Sequence, residues 1–402
     1  MPKPKTESKP PYLSVIVTSR NDDHGHNLMG RMQAFVDCWF HQAARFNLSC
    51  ELIIVEWNPP ADRPSLFQAL SWPKERSTCT LRMITVPPEI HARYQHADRL
   101  PLYQFTAKNV GLRHARGAFV LATNIDILFS DELMAFLAEG KLDPAKVYRN
   151  DRVDVEADVA TLKGPVAILE ACNRRVIRLN GPSWTIDLRS GRVYNIFTSS
   201  FSLKLGERYA RLRHLLSVAQ RLPRLAGLIL DLRRSGHRDS AQRVLGSLAR
   251  HATPYKSALL ARKVRAHVNA CGDFTLMSRQ NWLSLCGHPE FDGYSMHLDS
   301  VLLLGAVASG RVAEEVLPHP MRHFHIDHSI GSGYTPEGEQ QLYDNLRRRG
   351  LPYLSWEDVE RSVRMIAFSQ DQGRFNADDW GLAGIDFPEA TLRPLDQAPI
   401  KP

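Results

Sequence analysis

The sequence has no apolar run that approaches the about 20 residues needed to cross a bilayer. Its longest apolar run, residues 301–308, is short enough to be a buried helix. Residues 1–11 contain Lys and Pro but no apolar segment, so we expect a solvated tail rather than a signal peptide. The six cysteines are widely spaced, without a Cys-x-x-Cys pair. This pattern is typical of reduced thiols in a cytoplasmic protein and not of a zinc module.

Glycine-rich nucleotide loops are also absent. The first strand candidate, residues 13–18, is followed by Ser19-Arg20-Asn21-Asp22 instead of a G-x-G-x-x-G turn. The missing glycines argue against a dehydrogenase or a methyltransferase. The absence of a G-x-G-x-R loop at the same place argues against a sugar-nucleotide pyrophosphorylase.

The length and composition are those of a globular protein. The chain has 402 residues, of which 43% are hydrophobic and 23% charged. This length is enough for one large domain with insertions or for two domains.

Positive charge is concentrated in one segment. Residues 204–267 contain 15 Lys and Arg and 3 acidic residues. The net charge of this segment, 15 − 3 = +12, exceeds the net charge of +8 of the whole chain. The segment has three interpretations: a solvated helical cover over an acceptor site, a peripheral contact with an anionic membrane surface, or a nucleic-acid contact. Because the segment lacks interleaved aromatic residues, we expect no nucleic-acid partner. The expected location is cytoplasmic, with membrane contact at most at the inner membrane face.

Short apolar runs alternate with helical patterns in the N-terminal part. The predicted strands are residues 13–18, 51–55, 81–86 and 118–122, and the predicted helices are residues 28–46 and 104–114. Gly117 is the expected C-terminal cap of the second helix. Strand–helix–strand alternation at this spacing predicts a parallel sheet with right-handed crossovers.

The pattern changes after Asp131, the expected cap of a helix over residues 132–139. Turn dipeptides at Asn180-Gly181 and Ser190-Gly191 predict an antiparallel excursion over residues 174–197. Further predicted elements are a strand at 272–277, helices at 278–286 and 301–308, and amphipathic helix from residue 335, followed by a tail.

Polar residues follow the strand at 118–122. Thr123, Asn124 and Asp126 come where a parallel strand leaves its sheet, and ligands of open α/β sheets bind beyond these strand ends. A carboxylate there can hold a divalent cation against a diphosphate. The alternative is a polar turn that only caps the next helix.

Four segments together resemble a known family. Residues 13–20 and 51–56, the helix with Lys108-Asn-Val-Gly-Leu112, and the strand ending Asn124-Ile-Asp126 are similar in order and spacing to nucleotide-sugar-dependent glycosyltransferases of the GT-A fold, family-2 type. The resemblance covers residues 12–150, and 271–334 more loosely. It implies an α/β fold, with a GT-A (Rossmann-like), mostly parallel sheet flanked by helices, an antiparallel excursion and a basic helical insertion.

The resemblance also implies donor-binding residues. Thr18 and Arg20 would line the nucleotide pocket, and Glu56 would face the base or the ribose. Asn109 and Arg113, four residues apart on one helical face, would lie near the diphosphate.

Asp126 would be the metal-binding residue of a D-x-D-like motif in which Asn124 replaces the first Asp. An amide oxygen is a weaker ligand for Mg²⁺ or Mn²⁺ than a carboxylate. His325 or His328 fits the position of an added histidine ligand, which would favour Mn²⁺. The histidines could instead form a surface strand or bind substrate hydroxyls.

Asp299 would be the catalytic base, with Leu298 where the family has Glu. We prefer it to Asp292 because it directly precedes an apolar helix that would hold its carboxylate rigidly. A simpler role is stabilisation of the helix dipole.

The implied activity is transfer of a sugar from a nucleoside diphosphate, for which we expect a UDP-sugar, to a hydroxyl of a glycan or glycolipid, with metal assistance and inversion. Polysaccharide biosynthesis is the expected setting. The alternative is a non-catalytic sugar- or nucleotide-binding relative, which the departures at Asn124 and Leu298 would suit.

The expected domain organisation has six parts. They are a disordered tail at 1–11, a nucleotide-sugar-binding half at 12–156, an antiparallel hairpin segment at 157–203, an arginine-rich helical insertion at 204–268, an acceptor and catalytic half at 269–365, and a C-terminal tail at 366–402.

Overall fold

A large mixed sheet organises the chain. The computed structural model describes residues 10–73, 78–182, 184–195, 230, 266–328, 335–368 and 374–394. In spatial order the eight strands are β12 (Ala313–Val316), β6 (Lys146–Arg149), β11 (Phe274–Ser278), β4 (Phe119–Thr123), β1 (Leu13–Ser19), β2 (Cys50–Trp57), β3 (Cys79–Val86) and β14 (Glu389–Leu392). Four of the seven strand pairs are parallel, so the expected mostly parallel α/β sheet is confirmed.

Six further strands form a second sheet. Its order is β10 (Val193–Asn195), β9 (Trp184–Asp187), β8 (Val176–Asn180), β7 (Arg152–Val155), β13 (His323–Ile326) and β5 (Ile127–Phe129). The antiparallel pairs of β8, β9 and β10 are the expected antiparallel excursion. The chain passes from the large sheet to the second sheet at three places: between β4 and β5, between β6 and β7, and between β12 and β13.

Ten helices are described besides a 3₁₀ helix at Ala157–Thr161. They are α1 (Leu28–Arg45), α2 (Leu66–Ala69), α3 (Pro88–His91), α4 (Gln104–His114), α5 (Asp131–Ala138), α6 (Pro165–Arg174), α7 (Arg279–Leu285), α8 (Leu298–Ala308), α9 (Pro336–Arg348) and α10 (Trp356–Phe368). The predicted bounds of α4 are confirmed, and those of α1 differ by one residue.

The large sheet is covered by helices on both faces. Val15 and Val17 of β1 belong to the same buried cluster as the apolar stripe of α1, because alternate residues of a strand share a face. Ile16 points to the other face, where α4 approaches closely. A Cβ at Gly111 of α4 would lie 2.5 Å from Ile16 Cγ2, so glycine allows this close packing.

Two predicted helix caps are wrong. Ala115 is the C-cap of α4, and Gly117 instead passes so close to β1 that a Cβ there would lie 2.6 Å from the backbone nitrogen of Ser14. Ser130, not Asp131, caps α5, because its hydroxyl accepts a hydrogen bond from the backbone N–H of Leu133.

The segment predicted as a C-terminal tail contains a strand. β14 pairs antiparallel with β3, and Glu389 forms an ion pair of 2.7 Å with the buried Arg82. Arg82 also binds Glu51 of β2 at 3.1 Å. Strand β14 is therefore attached to the edge of the sheet through a buried guanidinium.

The chain divides into two compact units. One comprises Met1–Thr198 and Ala266–Pro402, and the other Ser199–Arg265. The predicted arginine-rich insertion lies almost entirely outside the described residues, and the proposed domain organisation stays a prediction. All six cysteines are buried and unpaired. Among the described helices, none combines the length and the apolar character that a membrane span requires.

Candidate metal and donor site

Asp126, His325 and His328 come together where the chain changes sheets. Asp126 lies in the connection between β4 and β5, directly before Ile127. Strand β13 pairs antiparallel with β5 so that His325 lies opposite Ile127. The register therefore places the residues after His325 beside those before Ile127, although about 200 residues separate them in the chain.

The facing atoms of these side chains form a compact group. His325 Nε2 lies 3.2 Å from His328 Nε2, and His328 Nε2 lies 3.7 Å from Asp126 Oδ2. One ligand atom from each residue falls within 4.8 Å of the others. Ligand atoms around a small divalent cation, at bonds of about 2.1 Å, are separated by about 3.0–3.5 Å. The spacing therefore suits such a cation.

The protonation of His328 also suits a cation. Burial, together with the neighbouring His325, lowers the pKa of His328 to about 4, so the imidazole is neutral at pH 7. Burial would lower the pKa of His325 as well, but its contact with Asp154 raises it. His325 Nδ1 lies 3.2 Å from Asp154 Oδ1. A carboxylate behind a histidine orients the ring and strengthens its other nitrogen as a ligand.

Asp154 is held by arginines in the second sheet. Its carboxylate lies 2.9 Å from Arg152 and 3.2 Å from Arg178, and it accepts a hydrogen bond from Asn180. Burial would raise the pKa of Asp154, but Arg152 and His325 lower it below the ordinary value. The carboxylate is therefore ionised when it faces His325.

Arg31 occupies the other side of Asp126. This residue of α1 is only 2% exposed, and its guanidinium forms an ion pair with Asp126 Oδ2. Sequence reasoning missed it. The signal was present, because Arg31 lies three residues after Leu28 and four before Phe35, on the apolar face of α1.

Asp299 lies in the first turn of α8, as predicted, next to Gly272. A Cβ on Gly272 would lie 2.9 Å from Asp299 Oδ2. The carbonyl of Gly272 accepts a hydrogen bond of 2.9 Å from Lys108 Nζ. Burial lowers the pKa of Lys108 to about 8, although Asp273, Asp299 and Asp126 each raise it. One buried lysine is thus influenced by both Asp126 and Asp299.

Asn124 has hydrogen-bond partners within the protein on both sides of its amide. Its amide oxygen accepts a hydrogen bond of 2.9 Å from Gln104, and its amide nitrogen donates to Asp273 Oδ1 at 2.7 Å. The oxygen expected to help a cation is therefore used within the protein. Asp273 in turn pairs with Arg152 at 2.8 Å. Through Asp273, Asn124 thus links the end of β4 to Arg152.

The expected pocket residues on β1 and β2 have partners within the sheet. The Thr18 hydroxyl donates to the carbonyl of Val55 at 3.0 Å. Glu56 is fully buried and accepts a hydrogen bond from the backbone N–H of Leu66, the first residue of α2. Burial raises the pKa of Glu56. Both side chains thus have partners at the strand ends, and the nucleotide contacts expected of them stay predictions.

Arg20 extends from the end of β1 across the loop that precedes α4. It donates to the carbonyl of Pro101 at 3.1 Å and pairs with Asp22 at 3.3 Å. Asn58, at the end of β2, donates to the same carbonyl at 3.3 Å. The predicted donor residue Arg20 therefore joins the loops at this edge of the sheet.

Asn109 and Arg113 share a helical face, as predicted, and this face contacts residues 287–290 and 378–381. Asn109 donates to the carbonyl of His288 at 2.8 Å and to Glu290 at 2.9 Å. Arg113 donates to the carbonyls of Trp380 and Asp378. Both side chains bind residues that pack against α4, and their expected position near a diphosphate stays a prediction.

Comparisons with known proteins leave the family open. No protein-family model matches the sequence, and no curated protein matches it. Among solved structures, the fold is similar to a mannosyltransferase from Pyrobaculum calidifontis in complex with GDP-Man and Mn²⁺. The sequences are 12% identical, the match covers 93% of this chain and 73% of that chain, and the TM-score is 0.37. Because this TM-score is too low to support an inference, any function must be argued from the site.

Proposed function

We propose that this chain is a glycosyltransferase that moves a sugar from a nucleoside diphosphate to an acceptor hydroxyl. The observation that carries the proposal is the convergence of Asp126, His325 and His328 beyond the end of β4. An α/β sheet of this kind binds its ligands beyond the carboxyl ends of its strands. The resemblance of the first half to GT-A transferases agrees with this location.

A divalent cation is the implied cofactor, and the residues present suit it. Asp126, His325 and His328 would hold it, and two histidine nitrogens favour Mn²⁺ over Mg²⁺. When bound, such a cation offsets the negative charge that develops on a leaving diphosphate. A UDP-sugar is the donor that we propose, and a glycan or a glycolipid is the acceptor.

Asp299 is the proposed catalytic base. It would take the proton from the acceptor hydroxyl as that oxygen attacks the anomeric carbon, opposite the leaving diphosphate. A single displacement of this kind inverts the anomeric configuration. Asp292 is the less suitable carboxylate, because it already accepts hydrogen bonds of 2.9 Å from the Tyr103 hydroxyl and the Gln95 N–H.

Substitution of Asp299 by Asn tests this role. We expect Asp299→Asn to lower kcat for donor turnover by about 10²–10⁴-fold, the usual contribution of a general base, with little change in donor binding. The assay follows release of nucleoside diphosphate from UDP- and GDP-sugars in Mn²⁺. Asp292→Asn, in the same segment, is the matched control, because its amide oxygen can still accept from the Gln95 N–H and its amide nitrogen can donate to the Tyr103 hydroxyl oxygen.

Full activity of Asp299→Asn would contradict its assignment as the base. A product that keeps the anomeric configuration of the donor would contradict the single displacement. Nucleotide binding without turnover in the presence of varied acceptors would favour the non-catalytic relative.

A further inference from the structure

The guanidinium of Arg31 is buried beside Asp126 and held in place by three hydrogen-bond partners. Its side chain is 3% exposed, and it binds Asp126 Oδ2 together with the backbone carbonyls of His24 at 2.7 Å and His26 at 3.4 Å. Arg31 thus joins the loop between β1 and α1 to the carboxylate at the end of β4.

Arg31 and a cation beside the histidines would share one carboxylate oxygen. Asp126 Oδ2, which Arg31 binds, is also the carboxylate oxygen nearest to His328 Nε2. A divalent cation held there would lie beside a fixed positive charge that is buried and little screened by solvent. The cation alone is therefore disfavoured as long as Arg31 stays on Asp126.

A diphosphate changes this balance. Its oxygens can contact a cation on one side and a guanidinium on the other, and the planar fork of arginine matches phosphate geometry. Repulsion between the two positive charges is then replaced by two attractions. Each ligand therefore raises the affinity of the site for the other, by the same factor.

The loop held by Arg31 covers the histidine side of the site. Gly25, His26 and Asn27 have φ values of 71°, 61° and 47°, a left-handed run in which two residues are not glycine. A Cβ on Gly25 would lie 2.6 Å from His328 Nδ1. Non-glycine residues in this region cluster at ligand-binding and switch segments, where surrounding contacts hold them. Arg31 supplies two of those contacts.

We infer that Arg31 couples cation binding to diphosphate binding: it neutralises Asp126 before the donor arrives and binds the diphosphate once the cation is in place. This inference rests on the proposed donor site and adds a positioning residue to it. It predicts a site that binds Mn²⁺ weakly alone and tightly together with a nucleoside diphosphate.

The test measures Mn²⁺ binding by electron paramagnetic resonance and calorimetry, alone and with saturating UDP or GDP. In the wild-type protein, we expect either nucleotide that binds to raise the Mn²⁺ affinity by at least about tenfold, a usual size of coupling between sites. In Arg31→Met, we expect Mn²⁺ alone to bind about tenfold more tightly than in the wild type, and the effect of the nucleotide on Mn²⁺ affinity to become smaller, because only the direct contact between cation and diphosphate is left.

Two further variants keep the test decisive. Arg31→Lys keeps the positive charge but lacks the planar fork, so it should bind Mn²⁺ alone as weakly as the wild type and keep only part of the nucleotide effect. If Arg31→Met does not fold, an undiminished nucleotide effect in Arg31→Lys would contradict the inference. Arg45→Met is the matched control, because Arg45 is on the same helix and also pairs with an aspartate, Asp131, but is 54% exposed. It should leave Mn²⁺ binding unchanged.

Equal affinity of wild type and Arg31→Met for Mn²⁺ alone would overturn the inference, even if nucleotide binds and turns over. Wild-type Mn²⁺ affinity that does not respond to a bound nucleotide would overturn it as well. Absence of UDP and GDP binding under every condition would instead overturn the proposed donor site, while the Mn²⁺ comparison still decides how Arg31 acts on the cation site.

Discussion

At the scale of single residues, the site consists of buried side chains in which each negative group faces a positive one. Arg31 binds Asp126, His325 binds Asp154, and Arg152 joins Asp154 to Asp273. Burial of an unpaired charge costs several kcal/mol, so each carboxylate is stable there only because a positive group faces it. The same pairing fixes the direction in which each ligand atom points.

His288 predicts a pH dependence of stability. It lies between Phe105 and Trp282, with ring centroids at 4.5 and 5.0 Å. Burial, followed by the charge of Lys108, lowers its pKa well below the ordinary value. Because the unfolded chain binds a proton near pH 6.5 and the folded chain does not, this histidine makes folding less favourable as the pH falls.

We expect the unfolding free energy of the wild type to fall between pH 7 and 5, by up to about 1.4 kcal/mol per pH unit for each such histidine below pH 6.5. His288→Phe should make the slope of the unfolding free energy against pH less steep, by the equivalent of about one proton. Urea unfolding at pH 7, 6 and 5 measures it. His319→Gln, at an exposed histidine, is the control, and an unchanged slope in His288→Phe would contradict the account.

At the scale of elements, local patterns predicted most of the fold. The alternation of β-branched runs with the apolar stripes of α1 and α4 depends on residues close in sequence, and both helices are found as expected. Strand β14 was missed because its residues, Glu389–Leu392, form no apolar run. Its position depends on pairing with β3 about 300 residues earlier, which no local pattern records.

The ion pair of Glu389 with Arg82 tests how β14 is attached. We expect Glu389→Gln to lower the unfolding free energy by about 1–2 kcal/mol, because it weakens a charged hydrogen bond to a guanidinium that is 3% exposed. Arg82 lowers the pKa of Glu389, so this contribution is present at neutral pH and is lost as the pH falls through that pKa.

Glu315→Gln is the matched control at the opposite edge of the sheet. Glu315 of β12 pairs with Lys146, but both side chains are more than a third exposed. An exposed pair of this kind contributes about 0.2–1 kcal/mol. Equal losses of stability in the two variants, by chemical unfolding at pH 7, would contradict the idea that burial makes the Arg82 pair the stronger one.

The candidate site could be predicted only in part. Asp126, His325 and His328 were proposed from the resemblance, and the structure brings them together. Asn109 and Arg113 share a helical face, as predicted, but helical spacing does not reveal which residues pack against that face. Arg31 could not be assigned, since its partner depends on how α1 lies on the sheet.

At the scale of the whole molecule, the site lies at a junction between two sheets. Each crossing from the large sheet to the second brings one part of it: Asp126 before β5, Arg152 and Asp154 on β7, and His325 on β13. Because these segments enter the second sheet side by side, side chains from three distant parts of the chain meet on a rigid framework.

The central claim is that Asp126 belongs to a cation site that holds a nucleoside diphosphate. Calorimetric titration with UDP and GDP, with and without Mn²⁺, tests it on the wild type, on Asp126→Asn and on the control Asp131→Asn. We predict that Mn²⁺ strengthens binding of one nucleotide by at least about tenfold in the wild type and the control, and not in Asp126→Asn. Equal Mn²⁺-dependent binding in Asp126→Asn, or no nucleotide binding by the wild type, would contradict the claim.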